Sequence, residues 1–173
     1  MRKVKFRGKR VDNKEWIYGS LIVGYHGKQM YCNIVPITIC EDCFVMPEVY
    51  LVIPETVGQY TGLKDISGKE IYEGDIVRYY IGSNDFPIDY NAVIEFAFGQ
   101  WGFFVPYYKN VKKGTYKERF SHKIVNGIGY KFIPLVDLGS ETIVLREFPK
   151  AKNIIKVQYE IVGNIYDNPE LVR

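Results

Sequence analysis

The chain has 173 residues, of which 47% are hydrophobic, 16% aromatic and 25% charged, with a net charge of +3. This composition supplies a hydrophobic core for one medium domain or two small ones. The longest apolar runs have only the length of a strand, which excludes a membrane helix of roughly 20 residues, and fifteen Tyr and ten Phe disfavour an all-helical fold.

The beginning of the chain is basic. Residues 1–20 contain seven Lys or Arg and two acidic residues, whereas residues 41–95 contain eleven acidic residues and three basic ones. One interpretation of this asymmetry is that it attracts a charged partner weakly. The alternative, which we favour, is that the basic and acidic regions neutralise each other in the folded chain. The basic start leads into no apolar core segment, so we expect no signal peptide and a cytoplasmic location.

One histidine and three cysteines follow. His26, Cys32, Cys40 and Cys43 formally supply four zinc ligands within 18 residues. Cys40 and Cys43 have the spacing of a zinc knuckle, but a convincing site pairs two knuckles, and His26 with Cys32 is only a loose second half. We favour three ordinary half-buried cysteines in a reducing compartment, because an odd and sparse set cannot form a disulfide framework.

The middle of the chain is rich in turn residues. Proline interrupts an apolar strand at Ile53–Glu55, which is the best candidate for a subdomain boundary. Asp65–Gly68 then predicts a β-turn closed by glycine, and Glu73–Asp75 predicts a second turn ahead of a strand at Ile76–Ile81. Short strands joined by tight turns predict a small barrel or sandwich.

Period-two patterns predict further strands. Residues 94–98 place Ile and two Phe on one face of an extended backbone, and a turn at 99–100 leads to the apolar return at 101–105, which predicts a hairpin. At 155–161 apolar and polar residues alternate strictly, as in a strand with one face on the core. Helix signals are limited to 140–149 and 168–170, so we expect at most one or two short helices.

A basic and aromatic segment lies at 107–123, with the single acid Glu118. Basic groups neutralise phosphates and aromatic faces stack on unpaired bases, so this mixture suits single-stranded nucleic acid. The alternative, which we favour, is a solvated basic hairpin with Gly114 at its tip and its tyrosines packed inward. The basic residues are Lys109, Lys112, Lys113, Lys117, Arg119 and Lys123, and the aromatic residues between them are Tyr108, Tyr116 and Phe120.

Three blocks of the sequence are more specific than these patterns. They are KFRG at 5–8 with Trp16 and Tyr18, then ETVGQYTGLKD at 55–65 running on to GKEIYEGDIV at 68–77, and finally YEIVGNIYDNPEL at 159–171. In these blocks the chain resembles the YopX-like proteins that phages and prophages of many bacteria encode. The resemblance covers roughly the first 80 and the last 15 residues.

The resemblance implies an all-β, mainly β fold. It suggests a smaller β-rich subdomain at 1–54 and an SH3-like β-barrel at 55–173, with an insertion around 107–156. The residues of the second block agree with a scaffold, because its glycines suit chain reversals and its aspartates can bond turn amides. These residues are Gly58, Gly62, Gly68 and Gly74, with Asp65 and Asp75 at the turns and Tyr60, Ile71 and Ile76 in the barrel core.

The sequence predicts no catalytic, cofactor-binding or metal-binding residue. It lacks a Gly-x-Ser-x-Gly motif and a phosphate-binding glycine loop, and the family supplies no catalytic residues to carry over. We therefore expect a non-catalytic, phage-encoded binding or assembly module that is located in the cytoplasm of a bacterial host cell and does not contact the membrane. It should form a homo-oligomer or bind a protein through exposed aromatic residues such as Trp16 and Trp101. Single-stranded nucleic-acid binding by 107–123 is the alternative, and a zinc-dependent or other enzyme is the third hypothesis.

Overall fold

In this computed structural model, the residues described are 4–36, 48–82, 88–109, 122–125, 128–135 and 156–172. Within these ranges the chain forms antiparallel β-strands and two short 3-10 helices, which confirms the mainly β fold. The chain divides into two compact units, residues 1–62 and 63–173. The predicted boundary at Ile53–Glu55 lies where the first 3-10 helix, Pro54–Thr56, begins.

The first unit is built on five strands in the sheet order β4-β3-β2-β1-β5. They are β1 (Phe6–Lys9), β2 (Trp16–His26), β3 (Gln29–Pro36), β4 (Tyr50–Val52) and β5 (Gly58–Lys64), whose last two residues belong to the second unit. One face of the sheet carries a small core of Cys32, Ile34 and Val52, which are at most 3% exposed. Full burial of each aliphatic side chain contributes about 1.5–3 kcal/mol.

The segment after β4 is fixed to the end of β1 by hydrogen bonds. Val52 pairs with Cys32 in β3 on one side and forms an isolated bridge to Arg10 on the other. The N–H of Ile53 donates to the carbonyl of Lys9 at 2.8 Å, and the Thr56 hydroxyl accepts from the N–H of Lys9 at 2.9 Å. These bonds fix the position of β1 relative to the small core of Cys32, Ile34 and Val52.

The second unit contains the remaining strands. They are β6 (Glu70–Tyr72), β7 (Asp75–Gly82), β8 (Ile88–Val93), β9 (Glu95–Ala97), β10 (Gln100–Lys109), β11 (His122–Val125), β12 (Ile128–Pro134) and β13 (Lys156–Asn164). Strand β6 follows β5 in sheet order, and the others form two sheets, ordered β11-β12-β10-β9 and β13-β7-β8. No sheet closes on itself among the described residues.

The core of the second unit is aromatic and aliphatic. Phe103 and Tyr159 are at most 1% exposed, and their rings meet edge to face with centroids 5.9 Å apart. The strand predicted at 155–161 is confirmed by β13, in which Tyr159 faces this core and Glu160 is exposed. The buried cluster consists of Ile71, Val77, Ala92, Ile94, Trp101, Phe103, Ile133, Leu135 and Tyr159.

The hairpin predicted at 94–105 is confirmed by β9 and β10, which pair across a turn at Phe98 and Gly99. Ile94, however, is 1% exposed, whereas Phe96 and Phe98 are each more than half exposed. Ile94 lies between β8 and β9, where its N–H donates to the carbonyl of Asp75 at 2.9 Å. The strand is interrupted at Ile94, so Ile94 does not share a face with Phe96 and Phe98 as predicted.

Both predicted turns in the second block are present. Gly68 and Gly74 have φ angles of +86° and +79°, and the N–H of Gly68 donates to the carbonyl of Asp65 at 3.0 Å. Gly58 lies instead inside β5, paired with Arg7. The terminal helical turn predicted at 168–170 is confirmed by the 3-10 helix Pro169–Val172, while 140–149 falls outside the described residues.

The Asp65 carboxylate joins the second and third blocks. Its Oδ1 accepts from the N–H and hydroxyl of Ser67 at 2.9 and 2.7 Å and from the N–H of Lys69 at 2.9 Å. Its Oδ2 accepts from the N–H of Ile161 in β13 at 3.2 Å. Asp65 is only 7% exposed. One side chain therefore closes the turn between β5 and β6 and connects that turn to β13.

This arrangement predicts acid sensitivity. Burial raises the pKa of Asp65, but hydrogen bonds from Ser67, Ile161 and Lys69 outweigh burial and hold the pKa below its usual value. A lowered native pKa adds stability above the unfolded-state pKa of about 3.9, and this contribution is lost as pH falls through the native value. Urea unfolding at pH 7 and pH 3 should therefore show a smaller effect of Asp65→Ala at pH 3; an equal effect at both pH values contradicts the assignment.

Candidate binding surfaces

The structure separates the two described members of the predicted zinc set. Because side chains alternate along a strand, and Cys32 pairs with Val23 while His26 pairs with Gln29, His26 and Cys32 lie on opposite faces of the β2–β3 hairpin. Burial, followed by the charge of Glu55, raises the pKa of the Cys32 thiol, which disfavours the thiolate that binds zinc.

The other two predicted ligands, Cys40 and Cys43, lie outside the described residues. Within the described part of the chain, no three His, Cys, Asp or Glu side chains form a group that could hold a metal ion. The basic segment at 107–123 is described only at its ends, since β10 ends at Lys109 and β11 begins at His122. Its nucleic-acid hypothesis therefore stays a prediction.

The outer part of the β2–β3 hairpin, residues 22–31, extends past its neighbouring strands, and we call it the hairpin arm. Strand β1 pairs with β2 only at 16–19, and β4 pairs with β3 only at 32–34. The arm turns at Gly27, which has a φ angle of +61°. Gln29–Tyr31 therefore pair with β2 on one side and with no described strand on the other.

The hairpin arm exposes apolar side chains on both faces. Tyr25 is 68% exposed, and four more large apolar residues are 40–50% exposed. Alternation places Ile22 and Tyr31 on one face and Val23, Tyr25 and Met30 on the other. The arm contains no acidic residue, and Lys28 at its turn is its one Lys or Arg. An exposed apolar surface of this kind is a candidate interaction site.

A second surface is formed where β1 meets the beginning of β2. Arg7 pairs directly with Tyr18, and Lys9 pairs with Trp16, so these side chains share the face opposite the small core. Lys5 lies over Tyr18 with its Nζ 5.6 Å from the ring centre. The guanidinium of Arg7 and the Nζ of Lys9 lie 4.7 and 5.5 Å from the centre of Trp16. We call these five residues the cation–aromatic face.

The second unit carries an aromatic cluster at the β9–β10 hairpin. The exposed ring of Phe96 meets Trp101 edge to face at 4.9 Å, and Phe98 meets Phe132 at 5.4 Å. Trp101, which sequence reasoning offered as an interface residue, is only 8% exposed and belongs to the core. Phe96 and Phe98 are instead exposed to solvent in this hairpin.

Among the residues that the structure describes, none belongs to a helix long and apolar enough to span a membrane. The model of the family described as YopX protein matches residues 5–129. This range includes the first and second blocks and part of the predicted insertion, and it ends before the third block at 159–171.

Comparison with solved structures finds protein EF1440 from Enterococcus faecalis, whose crystal structure is similar over 100% of both chains with 19% identity and a TM-score of 0.46. No curated protein matches the chain. The family model covers well over half of the sequence, from the β1 strand to the beginning of β12. The chain belongs to the YopX family.

Proposed function

We propose that this protein is a non-catalytic assembly module whose hairpin arm binds the arm of a second copy. The observation that carries the proposal is the exposure of five large apolar side chains within ten residues: Ile22, Val23, Tyr25, Met30 and Tyr31. Covering one such side chain contributes about 1.5–3 kcal/mol, and Tyr is among the residue types that anchor interfaces.

A second copy suits the arm for two reasons. Gln29–Tyr31 leave one strand edge without a described neighbour, and an antiparallel strand from another chain satisfies such an edge by backbone hydrogen bonds. A two-fold interface places each patch against itself, so a charged patch would repel its own copy. With Lys28 at the turn and no acid, the arm brings almost no charge into such an interface.

The proposal extends to fold and location. Short antiparallel strands joined by tight turns in the second unit support an SH3-like barrel for the later part of the chain. Family membership supports an origin in a phage or prophage, and three sparse cysteines support the reducing cytoplasm of a bacterial host cell. In that setting the protein works by protein–protein contact.

Light scattering after size-exclusion chromatography tests the proposal. Ile22→Ser combined with Tyr25→Ser changes one side chain on each face of the arm and should weaken dimerisation about 100-fold or more, because two apolar contacts are lost. Phe96→Ser removes an equally exposed apolar side chain in the second unit and should leave dimerisation unchanged. A wild-type protein that stays monomeric at every concentration overturns the proposal.

A further inference from the structure

We propose that Met30 is a modification site at which oxidation by a peroxide separates two copies of the protein. The inference rests on the proposed function, since it concerns the interface between two hairpin arms. It adds a chemical control to that interface and places Met30 at its centre. Three features of the molecule support it: the strand edge at Met30, the apolar surroundings of its thioether, and the chemistry of the sulfur atom.

The backbone of Met30 faces the free edge of the hairpin arm. The carbonyl of Leu51 accepts from the N–H of Val11 at 3.0 Å, so Leu51 faces away from β3. Backbone groups alternate between the two edges of an antiparallel strand, so the next residue, Val52, faces its partner Cys32 in β3. Met30 lies two residues before Cys32 and faces the same edge. Its N–H and carbonyl therefore point to the side on which the arm pairs with no described strand.

The free edge is short enough to fix the register of a second copy. It ends at Cys32, where β4 begins to pair, and at the turn at 27–28. An antiparallel pair that is related by a two-fold axis and uses all three free residues places Met30 opposite Met30 of the second copy, and Gln29 opposite Tyr31. The two Met30 residues then exchange both backbone hydrogen bonds. In this register the chain of the second copy turns away where β4 of the first copy begins.

The side chain of Met30 lies in an uncharged apolar surface. It is 42% exposed and is paired across the hairpin with Tyr25, while Val23 lies on the same face. Pairing of two arms brings these three side chains of each copy onto one face of a four-stranded sheet. Strands β2 and β3 contain no Asp, Glu, Lys or Arg, so apolar contact dominates this face.

An exposed thioether reacts with hydrogen peroxide, and we take a peroxide as the oxidant. A lone pair of the sulfur attacks one peroxide oxygen, so that an S–O bond forms and the O–O bond breaks. Sulfur loses two electrons to the peroxide, and the second oxygen leaves as water after taking the proton of the first. The product, methionine sulfoxide, adds a polar oxygen to an apolar side chain, and methionine sulfoxide reductases restore the thioether.

The position on the two-fold axis doubles the effect of oxidation. Each interface contains two Met30 side chains, so full oxidation places two sulfoxide oxygens in one apolar contact. Burying a polar oxygen among apolar side chains is unfavourable, and each should weaken association about tenfold. Oxidation of both copies should therefore raise the dissociation constant about 100-fold. Monomers then appear at concentrations at which the reduced protein is dimeric.

Light scattering of the full-length protein before and after treatment with hydrogen peroxide tests the proposal, with peptide mass spectrometry to measure the oxidised fraction of Met30. The wild type should dissociate as this fraction rises. Met30→Leu removes the sulfur, so its dissociation constant should be the same before and after treatment. Met30→Gln places a polar side chain at the same position and should weaken dimerisation about 100-fold without peroxide.

Two controls separate Met30 from the other oxidisable residues. Met46→Leu removes a methionine outside the hairpin arm and should respond to peroxide as the wild type does. Dithiothreitol alone reduces disulfides and sulfenic acids of cysteine, whereas recovery of the dimer should require a methionine sulfoxide reductase. Equal dissociation of Met30→Leu by peroxide, or recovery with dithiothreitol alone, overturns the proposal.

Met30→Cys tests the position on the axis. Opposite residues of a hydrogen-bonded pair have Cα atoms about 5.5 Å apart, which suits a disulfide, so this variant should form a disulfide-linked dimer in air. Gln29→Cys is the matched control, because two copies of residue 29 lie diagonally, about 8 Å apart, and should not be linked. A wild type that is monomeric at every concentration removes the interface itself. A dimer that Met30→Cys does not link, or that peroxide does not dissociate, overturns only the role of Met30.

Discussion

Replacing Asp65 by alanine should lower the free energy of unfolding by about 3 kcal/mol. The substitution removes the acceptor for the N–H groups of Ser67, Lys69 and Ile161 and for the Ser67 hydroxyl at once. Hydrogen bonds to a buried charged group contribute about 1.5–3 kcal/mol each, and the exposed Ser67 recovers part of its loss through water. Urea unfolding at pH 7, followed by far-ultraviolet circular dichroism, measures the change.

The control for this variant is Asp12→Ala. The Asp12 side chain is 62% exposed and pairs with Arg10 in a surface turn, where solvent screens the pair, so its loss should leave the free energy of unfolding nearly unchanged. Similar destabilisation by the two variants would show that the Asp65 carboxylate does not connect the turn to β13. Backbone amide exchange at Ile161 gives an independent measurement, since that amide should lose protection in Asp65→Ala.

A second large effect is expected in the first unit, where Gly19→Ala should destabilise the protein by about 3 kcal/mol. Gly19 is the fourth residue of β2, paired with Phe6 on one side and Pro36 on the other. A Cβ atom there would lie 2.0 Å from the carbonyl oxygen of Val35. Because the obstacle is backbone, β3 itself must move to relieve the clash.

Gly24→Ala in the same strand is the matched control. Its Cβ would lie 2.2 Å from the Cζ of Tyr31, which is the far end of a side chain that is 40% exposed. Tyr31 can change its rotamer at a cost of about 1 kcal/mol or less. Chemical denaturation should therefore separate the two alanine variants by about 2 kcal/mol, and equal stabilities would contradict the close approach of β2 and β3 at Gly19.

The features that the sequence predicts correctly depend on local chemistry. The turns at Asp65 and Gly74 follow from side chains that bond nearby amides and from a backbone conformation that favours glycine. The strand at β13 follows from strict alternation over its first half. In each example the residues that determine the structure are neighbours along the chain, so one stretch of sequence contains the whole signal.

The binding surfaces depend on which strands lie side by side, and a period-two pattern does not contain that information. Residues 22–31 read as an ordinary apolar hairpin, and their exposure follows from β1 and β4 pairing only near the base of β2 and β3. Likewise, Arg7 and Lys9 share a face with Tyr18 and Trp16 only through the register of β1 with β2. His26 and Cys32 are near in sequence, yet the same alternation turns them apart.

The alternation of Lys5, Arg7 and Lys9 was the one available signal for the cation–aromatic face. In the sequence this alternation forms part of an uneven charge distribution, and the two aromatic residues belong to a family block. The cations and the rings come together only in the hairpin of β1 and β2. The turn of this hairpin, at 10–15, is stabilised by hydrogen bonds of Arg10, Asp12 and Asn13. Alternating cations followed within a hairpin length by alternating rings are therefore the sequence signal for such a face.

The division into two units has a practical consequence, because the chain contains two tryptophans and each unit holds one of them. Trp16 lies half-buried beneath cations in the first unit, and Trp101 is packed in the core of the second. Trp101→Phe leaves an indole emission that reports only on the first unit, and Trp16→Phe leaves one that reports only on the second. Coincident midpoints from the two single-tryptophan proteins indicate one cooperative transition, and separate midpoints give each unit its own stability.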